Sequence, residues 1–355
     1  MPSLFEPITL GALALPSRII MSPLTRSRAS EGRVPNDLMR EYYTQRTSAG
    51  LIFTEATCIN PRSVGYSDTP GIWSQEQVAG WRRITDSVHG AGGRIVCQLW
   101  HVGRLSHPDF LDGRLPVAPS AIACPGEIRI PSGHAPYPTP HALTVDEIRA
   151  IIADYAQAAR NAKEGGFDGV EIHGANGYLP DQFLRDGTNR RADEYGGPVE
   201  NRARFLLEAT DAAIGVWGAD RVGVHLSPRD MDHHGIVDSD PAATFGYVAS
   251  EMGKRNIAYL FIRESLGGGP RFLPEIKRLF GGPVIANEGF TPEQAQHVLD
   301  SGEADAVAWG QQFIANPDLL KRLAHGLPLN APNPATYYAP GATGYTDYPF
   351  ISQQD

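Results

Sequence analysis

Several short apolar runs in this sequence end in polar side chains that a dry core would not tolerate singly. Alternation along an extended chain puts Val96, Gln98 and Trp100 on one face of one run, Glu171 with His173 on another, and His225 with Ser227 on a third. A glutamine, a glutamate and two histidines brought together are costly to desolvate unless they hydrogen-bond to one another or to a ligand. Their convergence at consecutive strand ends points to a bound polar cofactor or substrate. Asp232, His233 and His234 invite a metal reading, but adjacent residues rarely supply converging ligands. That stretch reads as a solvated loop, and no metal is expected.

The elements that must carry these groups are visible as eight β-branched or apolar runs, at 18–23, 51–57, 94–100, 169–173, 221–228, 258–264, 283–289 and 306–311. Such runs suit strands buried on both faces. Helical spacing follows them at 36–48, 74–89, 144–164, 199–216, 241–255, 273–280, 292–300 and 317–325. Thr291 and Asn316 each precede a proline and are expected to cap the helix that starts there. Eight strand–helix alternations predict an α/β fold, a single closed (β/α)8 barrel over residues 1–355, with a doubly wound open sheet as the alternative. The stretch 103–141, rich in Pro, Gly and Ser, breaks the alternation after the third strand and is expected to fold over the barrel mouth. The tail, 332–355, is expected to pack on the outside of the barrel.

Composition narrows the function classes. A chain of 355 residues with 41% hydrophobic and 20% charged residues can bury a large core. Its net charge of -9, with no run of Lys or Arg, gives no electrostatic footprint for nucleic acid or an anionic membrane. No signal-peptide pattern or spanning apolar stretch is seen, so a cytoplasmic protein is expected. The three cysteines, Cys58, Cys97 and Cys124, lack metal-type spacing and read as reduced thiols. A small molecule is the expected partner, and a homodimer is compatible with the sequence.

Eight blocks, in order, resemble the Old Yellow Enzyme family of FMN-dependent ene-reductases. They are Ser22-Pro-Leu-Thr-Arg26, Gly50-Leu-Ile-Phe-Thr-Glu-Ala-Thr57, Gln98-Leu-Trp-His-Val-Gly-Arg104, His173-Gly-Ala-Asn-Gly-Tyr178, Gln182-Phe-Leu184, Glu194-Tyr-Gly-Gly197, Phe313-Ile-Ala-Asn-Pro-Asp318 and Gly344-Tyr-Thr-Asp-Tyr-Pro349. The resemblance implies FMN across the barrel mouth, with Pro23, Leu24, Thr25, Ala56 and Gln98 against the isoalloxazine. It implies hydride delivery from NAD(P)H to flavin N5 and on to Cβ of an activated alkene: an enone, enal or nitroalkene. It further implies that His173 and Asn176 hold the substrate's oxygen and that Tyr178 protonates Cα. A phenol of pKa about 10 is protonated at neutral pH and suits that role.

Three positions depart from the family pattern. His225 stands where an arginine usually lies beside flavin N1 and O2, Gln311 where an arginine usually binds the phosphate, and Glu288 where a small residue is common. Losing one charge-assisted hydrogen bond is expected to weaken FMN binding by about one to two orders of magnitude. Backbone N–H groups at Gly289 and Gly310 are expected still to hold the phosphate. A cation at His225 exists only while the ring is protonated, which predicts pH-dependent flavin reduction near the reference value of about 6.5. The alternative is a flavin-free acid–base catalyst, an isomerase or cyclase, that keeps His173, Asn176 and Tyr178.

Overall fold

The computed structural model describes residues 2–229 and 234–351. Asp232 and His233 lie outside the described residues, and among those described no group of His, Cys, Asp or Glu is arranged to hold a metal. Eight parallel strands form the barrel: β1 Ile19–Met21, β2 Leu51–Phe53, β3 Ile95–Trp100, β4 Gly169–His173, β5 Val222–Leu226, β6 Tyr259–Arg263, β7 Val284–Asn287 and β8 Ala306–Trp309. Neighbours pair in order, and Val307 of β8 pairs with Ile19 of β1, so the sheet closes on itself and the open-sheet alternative is excluded.

Every residue of β3, β4 and β5 is buried, as a strand covered by helices outside and side chains inside requires. Inside, Ile20, Phe53, Val96, Tyr259, Phe261 and Ile285 pack together with Leu10, Leu13 and Leu15 of an N-terminal hairpin. That cluster fills one end and leaves the other, where the strands finish, for chemistry. Gly223 makes room inside: a Cβ there would sit 2.1 Å from Cζ of Tyr259. The ring could not cross the barrel past any other residue.

Eight helices complete the repeat: α1 Asp37–Thr44, α2 Gln75–Gly90, α3 Val145–Glu164, α4 Val199–Trp217, α5 Pro241–Arg255, α6 Leu273–Phe280, α7 Pro292–Asp300 and α8 Leu319–His325. Capping boxes start α2 (Ser74 with Gln77), α3 (Thr144 with Glu147) and α7 (Thr291 with Gln294). Each such cap is worth about 1 kcal/mol. The expected cap at Asn316 is not formed. A short helix, Gln311–Ala315, precedes α8, whose first residue is Leu319. The Asn316 side chain instead donates to the carbonyl of Gln312 and accepts from the amide of Asn330, tying down the start of the tail. The strands expected at 51–57, 221–228, 283–289 and 306–311 end at Phe53, Leu226, Asn287 and Trp309, because their last residues leave the ladder to build mouth loops.

Two excursions reach the mouth. In 103–141, a hairpin of Glu127–Ile130 with Gly133–Pro136 follows a loop tied down by buried Arg104, which donates to the carbonyls of Ile122, Ala123 and Gly235. Leu105 and Cys124 pack with Trp100 and Val102 beside Tyr178. The tail packs against α1 and α8, where Gln45, Arg46 and Arg322 donate to the carbonyls of Thr346, Tyr345 and Pro349, and it also reaches the loop after β1. Arg26 and Arg28, just beyond β1, donate to the carbonyls of Tyr337, Gly344, Gly341 and Thr336, and Tyr345 stacks on Tyr42 at 4.1 Å. The tail is thereby folded back over the strand ends. All three cysteines are free and buried.

Candidate active site

At the C-terminal ends of the strands lies a cavity of ≈ 550 Å³. Pro23, Leu24 and Thr25 from the loop after β1 line it, with Asn176, His225, Gly289, Gly310 and Gln311. The loop after β1 is fixed from behind by Glu55, whose Oε2 accepts the amides of Arg26 and Ser27. Burial pushes that carboxyl up to about 7, against the pull of those two amides.

Gln98, His173, Tyr178 and Ala56 are not on the cavity wall but form the layer next to it. Gln98 Nε2 donates to Glu171 Oε1 at 2.8 Å and to His225 Nδ1 at 3.1 Å, so the three polar groups grouped by alternation do meet. With Nδ1 accepting, the proton of His225 rests on Nε2, which has no partner among the described residues. The His225 ring stacks on His173 at 5.1 Å, and His173 meets Tyr178 edge-on at 4.9 Å. Tyr178 in turn packs against Trp100 at 5.0 Å, and its hydroxyl donates to that of Tyr66 at 3.4 Å. Ala56 is buried with Trp100 on that side.

Burial sets the charges here. Desolvation pushes His173 down to about 3, helped by Arg263. Desolvation, then His173 and Arg263, hold His225 well below the ordinary imidazole range. Both shifts favour the neutral ring at neutral pH, against the expectation of a His225 cation titrating near pH 6.5: burial and the Arg263 guanidinium oppose the charge. Tyr178 is pushed up to about 12, chiefly by desolvation, and keeps its proton across the neutral range. Glu171 is pushed up to about 8 by burial, which outweighs the hydrogen bond from Gln98.

Glu171 gives a direct test. Its carboxyl ionises near 4.5 when exposed and near 8 when folded, so its contribution to stability is full below the lower value and is lost as pH rises through the upper one. Thermal melts of Glu171→Gln are expected to show a gain over the parent that is larger at pH 8 than at pH 5. An equal difference at both values would show that the carboxyl is not titrating in this range.

Asn176 adopts a left-handed conformation, φ 59°, which asparagine tolerates, with its amide bonded to Ser227 Oγ at 2.8 Å. Its Oδ1 accepts from Nη1 of Arg263 at 2.9 Å, which fixes the side chain and leaves Nδ2 as a donor. Arg263, at the end of β6, was not singled out from the sequence. The signal was there: Phe261 faces the interior, so the residue two further on faces the same way. Its Nε donates to Glu288, which holds φ 120°, a conformation that costs a non-glycine residue about 1–3 kcal/mol. Tyr337 and Tyr338 of the tail also line the cavity and carry no local sequence signal.

These residues fit a flat polar ring with an anionic tail. The unpartnered Nε2 of His225 asks for an acceptor, and beside Gly289, at φ 72°, a Cβ would meet nothing within 4 Å, leaving space for a bulky group against the backbone.

Residues 3–330 match the model of the NADH:flavin oxidoreductase / NADH oxidase family. A protein of Leishmania infantum named “Probable flavin mononucleotide-dependent alkene reductase” is 43% identical, covering 98% of this chain and 97% of its own. The structure of morphinone reductase in complex with tetrahydroNAD superposes with a TM-score of 0.96 at 48% identity, over 100% of this chain and 99% of that one. The old yellow enzyme homologue from Zymomonas mobilis gives a TM-score of 0.96 at 47% identity, over 99% and 100%. These likenesses favour a flavin-dependent reductase and lend nothing to the flavin-free isomerase or cyclase.

Proposed function

This chain belongs to the NADH:flavin oxidoreductase / NADH oxidase family, and we propose that it is an FMN-dependent ene-reductase that uses NADH or NADPH to saturate an activated alkene. The observation that carries this reading is the junction of the neutral His173–Asn176–Tyr178 set with a cavity floored by Pro23, Leu24 and Thr25. FMN, when bound, supplies two-electron hydride transfer from a reduced nicotinamide to an electron-poor carbon.

The chain's own residues would do the rest. Pro23, Leu24 and Thr25 support the ring, with Gln98 and Ala56 in the layer next to them, and His225 offers Nε2–H. Gly289, Gly310 and Gln311 offer neutral donors to the phosphate. His173, through a ring N–H, and Asn176, through Nδ2, donate to the substrate's carbonyl or nitro oxygen, where charge accumulates as the alkene is attacked. Tyr178 delivers its hydroxyl proton to Cα, and Tyr66, at 3.4 Å, is the next hydroxyl in line for its return.

We read residues 1–355 as one barrel domain, with 103–141 as an insertion over the barrel mouth and 332–355 as a tail packed on the barrel. Among the described residues no helix is long and apolar enough to cross a membrane. Protein incubated with FMN and desalted is expected to be yellow, to bleach anaerobically with NADH or NADPH, and to recover its colour on adding 2-cyclohexenone. Colourless protein after that treatment would overturn the proposal.

A further inference from the structure

The family resemblance places positive charge at position 225, and the structure places it elsewhere. His225 is a neutral donor, because Gln98 occupies Nδ1. One strand further round, β6 ends in Arg263, paired in register with Asn287 of β7. Two residues earlier Phe261 packs in the barrel interior with its ring 4.3 Å from that of His225. Arg263 therefore stands above Phe261 and lines the same cavity as His225.

Its guanidinium is held, not roaming. Nη1 donates to Asn176 Oδ1 at 2.9 Å, and Nε to the Glu288 carboxylate, while among the described residues no partner engages Nη2. Glu288 accepts a backbone conformation suited to glycine in order to be there, φ 120°. Such strain persists only where the surroundings over-determine it, and here the ion pair with Arg263 is what the strained residue makes. The departures from the family pattern at 225 and 288 are thus two parts of one rearrangement around Arg263.

We propose that Arg263 is the cation that faces the pyrimidine edge of bound flavin, moved by one strand from position 225, and that Glu288 positions it and tempers its charge. The inference rests on the cavity holding FMN. FMN, if held here, would supply a ring that is more negative when reduced than when oxidised. A fixed guanidinium beside the pyrimidine edge favours the reduced form, and a carboxylate paired with it takes back part of the gain. Its bond to Asn176 also couples the charge to the group that holds the substrate's oxygen.

The test is FMN titration by fluorescence and midpoint potentials of the flavin-loaded proteins measured against a reference dye. Arg263→Met is expected to weaken FMN binding by about 10- to 100-fold and to lower the potential. Glu288→Gln is expected to raise the potential, and adding His225→Arg to Arg263→Met to return it toward the parent's. An Arg263→Met protein with the parent's affinity and potential overturns the assignment. Should that variant fail to fold, an unchanged potential in Glu288→Gln does so. Parent protein that takes up no FMN overturns the underlying reading as well, and that result is seen before any variant is compared.

Discussion

Replacing Tyr178 by Phe is expected to slow reduction of an enone by about 10²–10⁴-fold, the usual worth of a placed general acid, while leaving the bleaching of bound flavin by NAD(P)H unchanged. The two halves of the cycle separate the effect. Hydride arrival needs no proton from Tyr178, whereas saturation of the alkene needs one at Cα. The substitution is structurally mild, because the ring contacts with Trp100 at 5.0 Å and His173 at 4.9 Å survive and only the hydroxyl leaves. Anaerobic stopped-flow traces of bleaching and of recovery measure each half alone. Tyr178, pushed up to about 12, holds its proton throughout pH 6 to 9, so its own ionisation is expected to add no break to the parent's recovery rate over that range. A full recovery rate in the Phe variant would remove Tyr178 from the mechanism.

Substituting Ala for His173 or for Asn176 is expected to lower kcat/KM for an enone by about 10²–10³-fold each, the loss found on deleting one donor to a developing oxyanion. The double variant should fall short of the product of the two, because both donors act on one oxygen and each compensates in part for the other. Neither effect should depend on pH across the neutral range. His173, pushed down to about 3, is an uncharged donor throughout, so protonation near the ordinary imidazole value plays no part. A break in the rate near pH 6.5 that disappears in His173→Ala would show that the ring acts as an imidazolium and would contradict the geometry. The Asn176 variant has a second consequence, since Arg263 loses the acceptor at 2.9 Å.

The barrel was legible because its strands are buried on both faces and so declare themselves as unbroken apolar runs; 169–173 was bounded to the residue. The meeting of Gln98, Glu171 and His225 followed from alternation alone, since adjacent parallel strands put their inward residues side by side. The charge on His225 was not legible, because a sequence shows residue type and not the loss of solvent around it. Arg263 was passed over for a related reason. Alternation places Arg263 on the face of Phe261, but its closeness to Asn176 and to the wall that His225 lines shows only once the barrel has closed. Tyr337 and Tyr338 were beyond reach, because hydrogen bonds from Arg26 and Arg28 about 310 residues away bring them in, and such bonds leave no local pattern.

The return of the tail to β1 also orders events in time. Arg26 and Arg28 are made more than 300 residues before the carbonyls of Gly344 and Gly341 that satisfy them. Domains fold as they emerge from the ribosome, N-terminal parts first, so the barrel can close while these arginines still face water and the mouth is unfinished. The cavity is therefore finished only after residues 336–344 have emerged, and a chain cut short before them would yield a barrel whose mouth lacks Tyr337 and Tyr338.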